Sequence, residues 1–154
     1  KKPFFLQGTI MDNLKLGQNE ISDLEVIEVC KKVGIHSDIQ KLEKGYYELI
    51  ESGGENFSSG QKQKLGFVRV LLKKADIVLL DEVTSDLDGE AERQICNQIE
   101  EIAKKAIVLN IAHKPESIRR SKKVFFIQGG KIVAEGTHKA LMKNCVDYKK
   151  IFAN

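Results

Sequence analysis

The chain has 154 residues, of which 42% are hydrophobic and 31% charged, and its 25 basic and 22 acidic side chains leave a formal net charge of +3. This near balance of charge gives no sign of the concentrated basic surface that a nucleic-acid-binding domain needs, so no nucleic-acid partner is expected. No apolar run approaches the ~18 residues of a membrane-spanning helix, and no signal peptide is visible.

The first predicted helix follows residue 22. Ser22 and Glu25 have the spacing of a capping box, in which the serine caps forward and the glutamate reaches back. Apolar residues then recur on one side of the helix until Gly34 ends it. A shorter helical turn is expected from Ser37, so this part of the chain is predicted to be helical.

A second amphipathic helix follows the Gly/Ser turn at residues 57–61. Ser58 or Ser59 can cap it, because a serine oxygen accepts an orphan backbone N–H group. The free N–H groups at such a helix start suit an anionic phosphate, and Gly60 allows close backbone approach. A capped helix with a glycine near its start is common, so this pattern alone does not predict phosphate binding. The apolar side of the helix consists of Leu65, Val68, Leu71 and Leu72.

The short apolar run from Ile77 to Leu80 is typical of a strand buried on both faces. Asp81 and Glu82 follow directly, at the end of the strand where open α/β sheets place ligands. Asp81 could hold Mg²⁺, directly or through water, since this cation prefers oxygen ligands. Glu82 could accept a proton from an attacking water or orient it. A solvated strand end followed by a turn explains the same two residues equally well.

The alternation of helices and strands continues to the C-terminus. Residues 89–103 form a predicted amphipathic helix, and residues 106–111 another buried strand that His113 closely follows. Residues 122–136 are expected to form two strands around a Gly-Gly turn, and residues 145–152 a last helix. We expect an α/β fold with parallel strands that end at Asp81 and Ala112.

The order and spacing of these parts resemble the ATP-binding-cassette (ABC) ATPases. Residues 57–61, FSSGQ, resemble the family's LSGGQ signature, residues 77–81 its Walker B strand, and residues 85–88, SDLD, its D-loop. Residues 3–14, PFFLQGTIMDNL, resemble the segment after the Q-loop of exporter-type members. The segment EGTHKAL, within residues 135–141, resembles a further architectural segment of the family.

The resemblance implies a partial P-loop NTPase (RecA-like) parallel sheet with flanking helices and the α-helical ABC signature subdomain. Residues 1–74 would hold the Q-loop remnant, the helical subdomain and the signature helix. Residues 75–154 would be the C-terminal part of the catalytic α/β core. The phosphate-binding Walker A pattern G-x-x-x-x-G-K-[ST] does not occur in the sequence, and the chain lacks an initiator methionine. We therefore interpret the chain as a piece of a longer polypeptide.

The resemblance also implies that the cofactors ATP and Mg²⁺ bind between two nucleotide-binding domains arranged head to tail. In that arrangement Asp81 is the metal ligand, Glu82 the catalytic glutamate and His113 the switch histidine that reaches the γ-phosphate. The residues expected to contact the cofactor are Ser58, Ser59, Gly60, Gln61 and Asp88.

Four positions depart from the family pattern. Lys1 stands at the Q-loop glutamine position, Phe57 and Ser59 replace a leucine and a glycine of the signature, and Asp86 replaces the alanine of the D-loop. These departures bear on how well the site would work.

The expected function is ATP hydrolysis that powers export of a peptide, lipid or drug by an ABC transporter. The partners would be a second nucleotide-binding domain and transmembrane domains, at the cytoplasmic face of the cell membrane. Without its phosphate loop, the isolated chain is expected to be inactive. One alternative is a soluble ABC-type ATPase of DNA repair, chromosome maintenance or translation, against which the exporter-like segments argue. Another is a regulatory half that binds nucleotide without hydrolysing it, against which Glu82 and His113 argue.

Overall fold

The computed structural model of the chain describes residues 3–18 and 20–152. Their contacts group the chain into two compact units, Lys1–Ile111 and Ala112–Asn154. The boundary predicted between residues 74 and 75 divides the chain by the expected functions of its segments, whereas these units are defined by contacts. The predicted boundary stays a prediction. Among the described residues, no helix has both the length and the apolar character needed to cross a membrane.

The first unit is mixed helix and strand. Its helices are α1 (Ile10–Lys15), α2 (Asp23–Val33), α3 (His36–Gln40), α4 (Ser59–Lys73) and α5 (Gly89–Ile102). Its strands are β1 (Gly8–Thr9), β2 (Leu49–Ile50), β3 (Ile77–Asp81) and β4 (Ile107–Ile111), and two short 3-10 turns, Gly45–Tyr47 and Ser52–Gly54, flank β2. Strands β1 and β2 pair antiparallel, whereas β3 and β4 pair parallel.

Helix α2 begins where the sequence predicts. The Ser22 hydroxyl accepts from the Glu25 N–H group at 3.2 Å, and Gly34 ends the helix in a left-handed conformation with φ of 72°. The Glu25 carboxylate forms an ion pair with Lys74 at 2.7 Å, where a capping box would direct it to the Ser22 backbone. The ion pair with Lys74 therefore replaces the predicted hydrogen bond from the Ser22 backbone to the Glu25 side chain.

Helix α4 is the central helix of the first unit. Its fully buried side chains include Leu65 and Val68, and helices α1 and α2 both pack against it. The helix ends at Lys73, and the C-cap residue Lys74 has a left-handed backbone with φ of 49°. Burial of this apolar side confirms the predicted amphipathic helix.

The parallel pair β3–β4 is buried on one face only. Val78 and Leu80 lie in the core, whereas the alternate side chains point away from it. The prediction that both strands are buried on both faces was therefore wrong for the described residues. An apolar run does not reveal which of its faces another segment covers. The exposed residues, between 53% and 72% accessible, are Ile77, Leu79, Ile107, Leu109 and Ile111.

The second unit consists of α6 (Pro115–Arg119), β5 (Val124–Gln128), β6 (Lys131–Gly136), α7 (His138–Asn144) and α8 (Val146–Phe152). Strands β5 and β6 form the predicted antiparallel hairpin. Its turn residues Gly129 and Gly130 have φ of 56° and 74°, which explains why both are glycine. Tyr148 is buried and packs edge-on against Phe126, so a small aromatic core holds this unit together.

Candidate functional site

Two carboxylates stand at the carboxyl end of β3. Asp81 is the last residue of the strand, and Glu82 continues its ladder by donating its N–H group to the Ile111 carbonyl at 2.9 Å. Both side chains are exposed. The structure thus brings the predicted metal ligand and the predicted catalytic glutamate to the same edge of the parallel pair.

The backbone of Glu82 is unusual. Its φ of 52° lies in the left-handed region, which costs a residue with a Cβ about 1–2 kcal/mol. Strained residues of this kind concentrate at functional sites, where the surrounding structure holds them. The ladder bond to Ile111 on one side and the turn that follows on the other provide that restraint.

A pocket of about 370 Å³ lies between the start of α4 and the end of β3. This volume is near the lower end of the range for small-molecule sites. It brings the predicted cofactor-contacting residue Ser59 together with Asp81 and Glu82. The lining residues are Pro3, Ser59, Lys62, Gln63, Asp81, Glu82, Ser85 and Asp86.

The start of α4 is held by a complete capping box. The Ser58 hydroxyl accepts from the Gln61 N–H group at 3.2 Å, and the Gln61 side-chain oxygen accepts from the Ser58 N–H group at 2.9 Å. Of the two serines that could cap this helix, Ser58 therefore does so, and Ser59 is the first helical residue. Two of the five predicted cofactor-contacting residues, Ser58 and Gln61, thus fix the geometry of the helix start with their side chains.

Gly60 lets the backbone of α4 come close to residues 86 and 87 of the same chain. A Cβ added at Gly60 would lie 3.2 Å from the Asp86 carbonyl oxygen and 3.5 Å from the Leu87 side chain. The sequence suggested that this glycine leaves room for phosphate. The structure gives it an additional use, since it lets helix α4 contact the segment that follows Glu82.

The segment from Glu82 to Asp88 forms a compact turn. The Ser85 N–H group donates to the Glu82 carbonyl at 3.1 Å, and the Leu87 N–H group donates to the Thr84 carbonyl at 3.2 Å. Asp88 caps α5 by accepting from the Ala91 N–H group at 2.9 Å. Its predicted contact with the cofactor stays a prediction.

Sequence reasoning missed Gln63, which connects α4 to this turn. Its Nε2 donates to the Ser85 hydroxyl at 2.7 Å, and its Oε1 accepts from the Asp86 N–H group at 3.1 Å. The one available signal was its position about one helical turn after Ser59, on the side that faces the pocket. The contacts themselves span more than twenty residues and leave no local pattern.

The N-terminal segment is also held on α4. Arg69 donates through Nε to the Asn13 carbonyl at 2.8 Å and through a terminal nitrogen to Asn13 Oδ1 at 2.9 Å. It also donates to the Phe4 carbonyl, and its guanidinium lies 4.6 Å from the centre of the Phe5 ring. Burial lowers the pKa of Arg69 from its usual value. This network fixes the segment that brings Pro3 to the pocket.

His113 lies in the second unit, two residues after β4 ends, and its side chain is exposed. Its role as a switch histidine stays a prediction. Lys1, at the predicted Q-loop position, lies outside the described residues.

The residues present fit a magnesium–nucleotide complex better than a metal held by protein alone. No group of three or more His, Cys, Asp or Glu side chains among the described residues is arranged to hold a metal ion. Mg²⁺ bound with a nucleotide usually takes one or two carboxylates together with phosphate oxygens and water. Asp81 at the strand end can supply such a carboxylate.

Comparison with known proteins gives one consistent family. The family model for ABC transporters matches residues 3–85. An ABC multidrug transporter of Trichophyton rubrum is 37% identical over 146 residues, covering 93% of this chain and 11% of that protein. The ATP-binding/permease protein of a glutathione/L-cysteine transport system in Bacillus subtilis is 32% identical over 152 residues, covering 99% of this chain and 26% of that protein.

The structure of a bacterial Atm1-family ABC exporter with ATP bound superimposes with a TM-score of 0.93 and 27% sequence identity. The match covers 99% of this chain and 27% of that one. The chain thus spans no more than about a quarter of the length of these relatives. With its signature-like helix start, its Asp81–Glu82 strand end and its mixed α/β fold, the chain belongs to the ABC transporter family and has the fold of part of an ABC ATPase domain.

Proposed function

We propose that the chain is part of the ATP-hydrolysing domain of an ABC exporter, in which Asp81 and Glu82 act on Mg-ATP. The observation that carries the proposal is the Asp81–Glu82 pair at the carboxyl end of β3, with Glu82 in a left-handed backbone conformation. Ligands of open α/β sheets bind at this end of the strands. The exporter relatives support the same reading.

In this proposal Asp81 binds Mg²⁺, and Glu82 orients the attacking water and accepts its proton. Bound Mg²⁺ supplies charge neutralisation on the phosphates. His113 contacts the γ-phosphate, and Asp88 contributes to the nucleotide site through the D-loop. These roles rest on the motif positions and on the pocket that contains Asp81 and Glu82.

The helix start would contact a nucleotide held by a second nucleotide-binding domain, arranged head to tail. The residues involved are Ser58, Ser59, Gly60 and Gln61. An N-terminus with a positive dipole end and a fixed cap suits a phosphate group. Transmembrane domains would complete the transporter, with this domain at the cytoplasmic face of the membrane. The cargo stays open, because the relatives' names cover both multidrug and glutathione/L-cysteine transport.

Replacing Glu82 by glutamine in the intact protein tests this proposal. The Glu82→Gln variant should hydrolyse ATP at least about 100-fold more slowly, because a general base contributes roughly that much to the rate. Its affinity for ATP should change little, since the side chain keeps its size. Glu101→Gln, an exposed glutamate at the far end of α5, serves as the matched control. Unchanged turnover in the Glu82 variant would remove this residue from its role.

A half that binds nucleotide without hydrolysing it is the second candidate, and Asp86 favours it. Its carboxylate shares the pocket with Asp81 and Glu82, so a third negative charge stands where the family usually has alanine. A carboxylate near a phosphate site repels the phosphate, because both groups are negatively charged. Single-turnover ATPase measurements on the full-length protein distinguish the two functions. The regulatory reading requires that wild type is inactive and that Asp86→Ala restores hydrolysis.

A further inference from the structure

We propose that Gln63 is a positioning residue for hydrolysis, because its side-chain amide fixes the turn that begins at Glu82. The inference rests on the proposed function, in which Glu82 acts on the attacking water. Gln63 is not part of the signature-like run at residues 57–61, and it lies one helical turn into α4. Its role is to hold another residue in place.

The amide of Gln63 makes two hydrogen bonds to adjacent residues of the turn. One runs from its Nε2 to the Ser85 hydroxyl at 2.7 Å, and the other runs to its Oε1 from the Asp86 N–H group at 3.1 Å. A primary amide donates and accepts at the same time, which neither a leucine nor a lysine does. Two bonds from one planar group fix both the distance and the orientation of the turn.

The helix end of this connection is rigid. The capping box of Ser58 and Gln61 fixes the first turn of α4, and buried Leu65 anchors the next. A Cβ added at Gly60 would lie only 3.2 Å from the Asp86 carbonyl oxygen, so the helix backbone passes close to the turn. Gln63 therefore joins the turn to a part of the chain that does not move easily.

The turn end of the connection leads directly to Glu82. Ser85 donates its N–H group to the Glu82 carbonyl at 3.1 Å, so the residue that Gln63 binds also binds the backbone of Glu82. Glu82 itself has the strained φ of 52°, a conformation that persists only when neighbours enforce it. The chain of bonds Gln63–Ser85–Glu82 provides part of that enforcement.

Loss of this connection should affect the chemical step more than nucleotide binding. A displacement of about 1 Å at a reacting group costs on the order of 100-fold in rate. Binding of ATP depends on other groups, so the KM for ATP should change much less than kcat. A residue with a purely structural role would lower the stability of the domain without producing this split.

The experiment uses the full-length protein with the variants Gln63→Leu and Ser85→Ala, and their double variant. Gln94→Leu is the matched control, because it is a half-buried glutamine on α5 whose hydrogen bond in the structure goes to Glu90 at 3.5 Å. We expect Gln63→Leu to lower kcat by about tenfold or more, with the KM for ATP within about threefold of wild type. The double variant should lose little beyond Gln63→Leu, because both changes remove the same contact.

Hydrogen exchange of the segment 82–87 provides a second readout that does not depend on activity. The Asp86 amide should exchange faster in Gln63→Leu than in wild type or in Gln94→Leu, since its acceptor has been removed. Equal exchange would overturn the proposal, as would additive effects of the two single changes or an unchanged kcat. If wild type hydrolyses no ATP, the proposed function fails and with it the catalytic role of Gln63. Exchange would then report only whether Gln63 holds the turn.

Discussion

Cys30 shows how strongly burial can lower the reactivity of a thiol. It lies in the core on α2, where burial raises the pKa of its thiol to about 11, although a hydrogen bond with Tyr46 opposes part of that rise. The Tyr46 hydroxyl in turn lies 2.9 Å from His36 Nδ1, and burial raises the pKa of Tyr46 as well. The polar atoms of this small cluster bind one another, so they are satisfied inside an apolar region.

We therefore predict that Cys30 resists alkylation in the folded chain. At pH 8 a thiol with its pKa near 11 is thiolate to only about one part in a thousand, and the thiolate is the reactive form. Cys145 is half-buried and should react with iodoacetamide at least about tenfold faster. Peptide mass spectrometry over a time course measures both rates. In urea the two rates should converge, and equal rates in the native chain would contradict the prediction.

At the scale of elements, helix α4 organises the whole first unit. Its start carries the capping box, Gln63 binds the turn after β3, and Arg69 binds the N-terminal segment. A Cβ added at Gly66 would lie 2.7 Å from Pro3, so the same segment also rests on the bare backbone of the helix. Loosening this helix would therefore disturb the pocket from two sides.

The capping box of α4 leads to a prediction about two adjacent serines. Ser58→Ala should lower the free energy of unfolding by about 1 kcal/mol, because it removes an N-cap acceptor. Ser59→Ala is the matched control and should have little effect, since Ser59 is already inside the helix. Urea unfolding followed by circular dichroism measures both. Equal losses would mean that the cap has been assigned to the wrong serine.

At the scale of the whole molecule, each unit carries an apolar face without a cover among the described residues. In the first unit this is the outer face of β3–β4, which includes Leu79 and Leu109. In the second unit, the hairpin β5–β6 exposes Phe125, Ile127 and Ile132. Contiguous apolar patches of this kind are rare on soluble monomers and mark surfaces that bind other protein.

The isolated chain should therefore self-associate. Its mass by light scattering should rise with concentration, and replacing Leu79 and Leu109 by glutamine should lower it. Leu24→Gln changes an equally exposed leucine, 74% accessible, outside these faces and should leave the mass unchanged. A chain that stays monomeric at every concentration would contradict this prediction.

The isolated chain should also neither bind Mg-ATP tightly nor hydrolyse it. The pocket contains three carboxylates and one lysine, and the sequence has no phosphate-cradling glycine-rich loop to offset that negative charge. Calorimetric titration with Mg-ATP measures this. Micromolar, magnesium-dependent binding would show that phosphates are held by other residues.

Local patterns predicted the helices and strands well. The Ser58 cap, the α4 periodicity, the carboxylates after β3 and the Gly-Gly hairpin all depend on residues close in sequence. The contacts of Gln63 and Arg69 were not predicted, because they join residues 22 and 56 positions apart. The exposed face of β3–β4 was missed for a related reason, since an apolar run looks the same whether one or both faces are covered.

The left-handed backbone of Glu82 sets the stability of the fold against the proposed ATP hydrolysis, because the two favour different residues at this position. Glycine adopts that conformation without strain, so Glu82→Gly should raise the free energy of unfolding, by no more than about 1 kcal/mol, while abolishing hydrolysis. Selection for a higher free energy of unfolding would then favour glycine at position 82, whereas selection for ATP turnover would favour glutamate. If Glu82 has the proposed role in hydrolysis, its backbone strain is a stability cost that the chemistry requires.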